Sequence, residues 1–318
     1  MNMKSSVDNS LVLENFRAMG TDVSIEIAVG FGHLEPKGTL SALQEVKEIF
    51  TENEKIFSRF DSESELSKIN SNLNKKIVVS EKMFEVLELC LKFNKISNGY
   101  FDPRVIGVLE KIGYDKDFKN NDLNTKETKE IEIEKFENDL QKDLILDAEK
   151  KTILARKRID TTGIAKGYTV DEAAQFLKKE GFQNFVVDAG GDMFAQGLNI
   201  DGQYWTIGVE GAPDDKVVLK LQKEGIATSG ISRKRWILGD KKVHHLINPK
   251  DPENFSYDIK TVTVIDTKTV EADGRAKTLV LMGKERGLEF ANKNNIKALF
   301  LDYRGNVYLS NEIKKNIL

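Results

Sequence analysis

Cysteine occurs once, at Cys90, so no internal disulfide can form and no cysteine cluster can hold zinc. Histidine is nearly as scarce: His33, His244 and His245 are the only three in 318 residues. No stretch approaches the ~20 apolar residues that span a bilayer, and the opening MNMKSSVDNSLVLENF lacks the apolar run of a secretory signal. Neither sign of charge is in surplus, since 48 Lys and Arg face 51 Asp and Glu for a net charge of −3. Without a basic excess, nucleic acid is not expected as a partner. Cys90 falls with Met83, Val86, Leu87 and Leu91 on an apolar helical stripe and is expected in the core.

What the chain does contain is strands and helices in irregular alternation. Leu11 to Ala28 reads as two strands around Met19-Gly20-Thr21, with Val23, Ile25 and Ile27 on one face. Leu40, Leu43, Val46, Ile49 and Phe50 mark an amphipathic helix that ends near Phe57. A short helix begins within 62–70, and 81–97 form the Cys90 helix, closed by Gly99. Pro103 suits the first position of the next helix. Residues 115–143 are highly charged and weakly periodic, which predicts a surface insertion with a short helix. Ile145-Leu146 and Ile153-Leu154 predict a hairpin, and 203–266 alternate strands with turns. Helices are expected at 270–283 and 285–294, and strands at 297–302 and 306–309. Without strict βαβ alternation the fold class is α+β, with two antiparallel-rich sheets and packed helices. A disordered N-terminus over 1–10 and one domain over 11–318 are expected.

The organising stretch is Ile159 to Asp192, IDTTGIAKGYTVDEAAQFLKKEGFQNFVVDAGGD. Val170, Ala173, Ala174 and Leu177 recur at helical spacing, Thr161 and Thr162 suit the helix cap, and Gly181 suits its end. Phe185, Val186 and Val187 form a buried strand that runs into Gly190-Gly191. Gly163 and Gly167 each cost roughly 1 kcal/mol relative to alanine in a helix, and bare backbone there lets something approach closely. Asp160, Asp188 and Asp192 flank the two glycine turns, a pattern that suits a phosphate ligand with a divalent cation. The plain alternative is that Asp160 caps a helix and Gly190-Gly191 makes a tight turn.

DTTGIAKGYTVD followed by VVDAGGD resembles the central signature of the FAD:protein FMN transferases, the ApbE family. AMGTDVSIEI, SRFDSESELSKIN, FDP, ATSG, HLINP and VEADGRAK match in the family's order between residue 18 and about 310. The resemblance implies a two-lobed, T-fold-related architecture with flavin bound between the lobes. It also implies FAD as substrate, Mg2+ as cofactor, and an acceptor protein with an FMN-binding domain.

By the same resemblance, Asp273 and the backbone carbonyl of Gly163 would hold magnesium. His245 would deprotonate the acceptor hydroxyl, a role that suits neutral imidazole. Its neighbour His244 is expected to face outward, since alternate strand residues face opposite ways. Met19 and Phe60 match positions lining the flavin, Phe101, Asp102 and Pro103 a loop around the nucleotide, and Asp160 and Lys166 positions that contact FAD. Asp188 belongs to the same set, Ile247 offers a backbone contact, and Thr228, Ser229 and Gly230 offer donors to phosphate. Lys277 stands where the family usually has threonine, and Asn248 where it has aspartate. Lys277, with His245 a candidate catalytic residue, would either neutralise phosphate charge or crowd the metal. On spacing alone, Asp273 and Lys277 also fit a helical i, i+4 ion pair. Many relatives are exported lipoproteins, so the N-terminus points to a cytoplasmic form or a trimmed one. Transfer of FMN from FAD to a threonine or serine is the expected activity; FAD hydrolysis and flavin binding without turnover are the alternatives.

Overall fold

The structure is a computed structural model that describes residues 10–29, 38–115, 139–209, 211–212, 217–232 and 234–318. His33, Arg233, residues 1–9 and most of the charged 115–143 segment lie outside the described residues. The order is β1 (Ser10–Ala18), β2 (Thr21–Val29), α1 (Thr39–Phe57), α2 (Glu65–Ser71), β3 (Lys76–Val78) and α3 (Glu81–Ile96). A 3-10 turn at Pro103–Val105 leads into α4 (Ile106–Lys111), then α5 (Leu140–Asp143), β4 (Leu144–Asp147), β5 (Thr152–Ala155) and α6 (Ala165–Lys179). Next come β6 (Phe185–Ala189), β7 (Asp192–Gln196), β8 (Trp205–Gly208), β9 (Val218–Leu221) and β10 (Glu224–Gly230). The chain finishes with β11 (Arg235–Leu238), β12 (Lys241–His244), β13 (Thr261–Asp266), α7 (Thr269–Met282), α8 (Lys284–Lys293), β14 (Lys297–Leu301) and β15 (Val307–Leu309). No helix among the described residues is long and apolar enough to cross a membrane.

Eight strands form one antiparallel sheet in the order β1-β2-β6-β7-β10-β13-β14-β15. The α+β class is as expected, but among the described residues the strands divide into one large sheet and three small ones rather than two sheets. Hairpins β8-β9 and β11-β12 stand apart from the large sheet, β9 adding one antiparallel bridge from Leu219 to Ile317, and β3-β5-β4 make a separate three-stranded sheet. Ser10 is already in β1, one residue before the expected domain start. The predicted stripe Val170, Ala173, Ala174 and Leu177 packs on Val23, Ile25 and Ile27, fixing α6 to the large sheet. Ala272, Ala276 and Leu279 seat α7 against Val262 and Val264. A second core gathers α3 and the three-stranded sheet around Met83, Leu87, Cys90, Phe93 and Phe101. Cys90 is fully buried there; burial, with Asp102 and Asp160 adding, pushes its thiol pKa up and leaves it unreactive.

Two details of the central stretch differ from expectation. Neither Thr161 nor Thr162 caps α6 with its hydroxyl. Instead the Thr161 carbonyl accepts from the N–H groups of Ile164 and Ala165 at 3.0 and 2.9 Å. Asp160 Oδ1 accepts from the Thr162 N–H at 2.8 Å, so the carboxylate one residue earlier shapes the turn. Gly167, moreover, is bare because α7 approaches it, not a ligand. A Cβ there would lie 2.9 Å from the Thr269 carbonyl oxygen and from Val270 Cα.

Gly167→Ala sets two effects against each other. Alanine gains roughly 1 kcal/mol of helix propensity, but overpacking against a backbone costs about 1–3 kcal/mol. Because the obstructing atoms are backbone, the clash dominates and the urea midpoint is expected to fall. An unchanged or raised midpoint would mean that α6 and α7 separate freely.

Candidate functional site

A cleft of about 1190 Å³ opens where the α3 body meets the turns at one end of the large sheet. The β1-β2 turn brings Met19 into it. Met19 and Gly20 have φ of 51° and 71°, so the two-residue turn is of the type that needs left-handed backbone at both positions. A non-glycine residue there costs about 1–2 kcal/mol. The link between α1 and α2 brings Arg59 and Phe60, and the segment before the 3-10 turn brings Phe101, Asp102 and Pro103. Asp160, Gly163 and Lys166 enter from the start of α6; Thr228, Ser229 and Gly230 from the end of β10. His245 and Ile247 enter after β12, and Lys277 from α7.

The floor carries two lysine–carboxylate pairs. Lys166 Nζ bonds Asp192 Oδ2, and Lys277 Nζ bonds Asp273 Oδ1. Asp273 is 1 % exposed, and its Oδ2 has no hydrogen-bond partner among the described residues. Burial, and then the negative charge of Asp192, push its pKa up to about 6 against the opposing pull of Lys277 and Lys166. Burial works against the Lys166 ammonium, but Asp192 and Asp273 outweigh it and hold its pKa above the ordinary value. No cluster of three His, Cys, Asp or Glu fit to hold a metal occurs among the described residues. The chemistry of Asp273 Oδ2 fits one carboxylate ligand to magnesium, an ion that commonly keeps water or substrate phosphates in its shell. The turn before α6 passes close to Phe101 and Lys277. A Cβ on Gly163 would come within 3.2 Å of the Phe101 ring and 3.6 Å of Lys277 Cδ.

His245 and His244 part company as strand alternation requires, but His244 does not face solvent. It is 4 % exposed, packed edge-on against Phe255 and Tyr257, and its Nε2 lies 3.1 Å from the Ser256 carbonyl. The expectation of an outward His244 is thus corrected: aromatic side chains cover the back of this segment. His245 Nδ1 lies 3.3 Å from the Lys234 carbonyl. A carbonyl only accepts, so Nδ1 carries the proton and Nε2 keeps its lone pair. Burial first, then Lys234, lowers the pKa of His245 well below the usual histidine value, leaving it neutral at neutral pH.

Polar contacts hold the walls. Arg59 and Asp160 pair at 3.3 Å with side chains 3 % and 4 % exposed. The Arg59 guanidinium also lies 4.3 Å from the Phe60 ring centre and 4.5 Å from that of Tyr114. Asn70, within the SRFDSESELSKIN motif, exchanges two hydrogen bonds of 2.9 Å with the Ile159 backbone and ties α2 to the central turn. Asp102 accepts from the backbone and guanidinium of Arg104, so it shapes the loop behind Phe101. Thr228 Oγ1 lies 2.9 Å from Thr263 Oγ1, which leaves the hydroxyl partly engaged.

Of the predicted site residues, Asp273 lies buried behind Lys277 and off the cleft lining, and Asp188 falls elsewhere. It lines a separate cavity of about 700 Å³ on the sheet face and accepts from the Gly191 N–H at 2.7 Å. The reason is local: Val187 points into the α6 core and its neighbour Asp188 turns to the opposite face. Arg59, Tyr114 and Lys234 were not among the predicted site residues, yet they line the cleft, as does Asp192, which the sequence marks only as a carboxylate flanking the second glycine turn. Arg59 sits inside a matched motif beside Phe60, and Asp192 ends the central stretch, so both left a trace in the sequence. Tyr114 left none.

Fold and cleft together define the class: an α+β protein built on one antiparallel sheet, with its acids, lysines and a neutral imidazole gathered in one cleft. The chain belongs to the ApbE family, whose model matches residues 19–300. It is 30% identical over 276 residues to the FAD:protein FMN transferase of Haemophilus influenzae, covering 82% of this chain and 78% of that one. Against the FAD:protein FMN transferase of Vibrio cholerae the identity is 28% over 288 residues, with 89% and 85% covered. Among solved structures, the ApbE protein of Thermotoga maritima superposes with a TM-score of 0.83 at 24% identity, over 96% of this chain and 99% of that one. The flavin transferase ApbE of Vibrio cholerae gives 0.79 at 23%, over 97% and 99%.

Proposed function

We propose that this protein transfers FMN from FAD to a threonine or serine hydroxyl of an acceptor protein and releases AMP. The observation that carries the reading is His245, its Nδ1 against the Lys234 carbonyl, in the same cleft as Lys166 and Lys277. Membership of a family whose curated relatives are named for this reaction supports it.

In this mechanism, Met19, Phe60 and Phe101 pack on the flavin, and Lys166, Gly163 and the end of β10 face the diphosphate. Magnesium, held by Asp273 Oδ2 and the Gly163 carbonyl, would supply charge neutralisation at the diphosphate. His245 Nε2 takes the proton of the acceptor hydroxyl. The oxygen attacks the phosphorus on the riboflavin side, the bond to the bridging oxygen breaks, and AMP departs with that oxygen. A phosphoester then joins FMN to the acceptor. Holding the reacting groups in line provides most of the acceleration in such chemistry. By family resemblance, the acceptor carries Asp-Gly-x-(Ser/Thr)-x-(Thr/Ser) in an FMN-binding domain.

The test incubates the protein with FAD, magnesium and such a domain. Flavin fluorescence retained on the denatured acceptor, with AMP released in equal amount, is expected. AMP without retained flavin would make the protein an FAD pyrophosphatase. FAD bound with no AMP at any magnesium concentration would make it a flavin binder.

A further inference from the structure

We propose that Lys277 is a fixed cation for the FAD diphosphate, strong enough that this protein holds FAD without a divalent metal. The inference rests on the reading of the cleft as an FAD site. An i, i+4 lysine–aspartate pair on a helix is ordinarily a solvated surface feature of small effect. Here it is not at the surface. The Asp273 side chain is 1 % exposed, that of Lys277 is 19 % exposed, and Lys277 lines the cleft.

The pair is anchored rather than free to swing away. Lys277 Nζ rests on Asp273 Oδ1, and its aliphatic stem crosses the start of the α6 turn, where a Cβ on Gly163 would meet Cδ at 3.6 Å. One N–H of the ammonium suffices for Asp273, and two remain for phosphate oxygens. Lysine binds phosphate as a point charge, without the planar match that arginine needs. Among the described residues Asp273 Oδ2 has no partner, so Lys277 and a metal would share the carboxylate, one on each oxygen.

Charge counting leaves the floor neutral, so the ammonium groups act on a ligand by direct contact and not through a net positive field. In the floor, Asp192 and Asp273 are matched by Lys166 and Lys277 before any ligand arrives. A diphosphate therefore meets two ammonium groups whose counter-charges are already buried beneath them. The metal is then not the only cation in contact with the diphosphate. Asp273 acts on the ligand partly through Lys277, by holding the ammonium at the cleft wall.

The experiment is calorimetric titration of FAD into the protein, once with EDTA and once with magnesium chloride, for wild type, Lys277→Met and Lys277→Arg. For wild type, the two dissociation constants are expected to agree within about threefold. Losing the charge-assisted bonds should weaken Lys277→Met about 10–100-fold in EDTA, with most of the loss recovered in magnesium. Lys277→Arg keeps the charge and should stay near wild type in EDTA. A wild type that loses tenfold or more in EDTA overturns the proposal without any variant. So does a Lys277→Met protein that binds as wild type does in EDTA. If wild type fails to bind FAD in either buffer, the reading of the cleft falls as well, a result distinct from the other two.

Discussion

His245→Ala is expected to lower FMN transfer ~10²–10⁴-fold, the usual effect of removing a general base, while FAD binding stays nearly intact. The geometry separates these two consequences. His245 is held by its own backbone N–H and by Nδ1, both to the Lys234 carbonyl at 3.2 and 3.3 Å, and Nε2 is left for the acceptor. Nothing in that arrangement requires FAD to be absent or present. The pH profile gives a second readout. The pKa of His245 lies well below the ordinary value, so the neutral base persists as pH falls through neutrality and is lost only in more acidic solution. An acid limb near the ordinary histidine value would mean another group is the base. A variant that transfers FMN at the wild-type rate would assign His245 to structure.

Arg59→Met is expected to destabilise the fold by about 3–5 kcal/mol, because it leaves a buried carboxylate without its cation. Asp160 is 4 % exposed at the side chain, and its Oδ2 faces Arg59 at 3.3 Å. Oδ1 retains the Thr162 N–H, which compensates only part of the charge. The variant also removes the guanidinium that packs against both the Phe60 and Tyr114 rings, so the cleft wall should loosen along with the core. A double variant, Arg59→Met with Asp160→Asn, removes the buried charge and should recover a large part of the loss. Urea denaturation of the two singles and the double checks this. Additive losses would show that the two side chains do not interact.

How far the sequence could be read depended on whether the information was local. The α6 stripe of Val170, Ala173, Ala174 and Leu177 was legible because a helix repeats its buried face every few residues. The Met19-Gly20 turn was legible because two strands of matching pattern flanked it. The cost of Gly167 was visible as well, but not its cause, since the backbone that needs the space comes from α7, far along the chain. Arg59 and Asp160 belong to the same case: each stands in a recognisable motif, and no period in the sequence links them. Strand alternation separated His244 from His245, but could not say that Phe255 and Tyr257 would cover the other side. Most of the site came from family resemblance, and the cleft gathers every predicted site residue except Asp188, which turns to the opposite sheet face, and Asp273, which lies buried behind Lys277.

The central claim is that one cleft holds FAD with its diphosphate over the Gly163 turn and its flavin against Met19 and Phe60. A crystal structure of the protein with FAD and magnesium tests it most directly. The account predicts a riboflavin-side phosphorus facing His245 Nε2, diphosphate oxygens on the ammonium groups of Lys166 and Lys277, and a metal on Asp273 Oδ2. FAD seated instead in the sheet-face cavity beside Asp188 and Thr263, with His245 remote from either phosphorus, would contradict it.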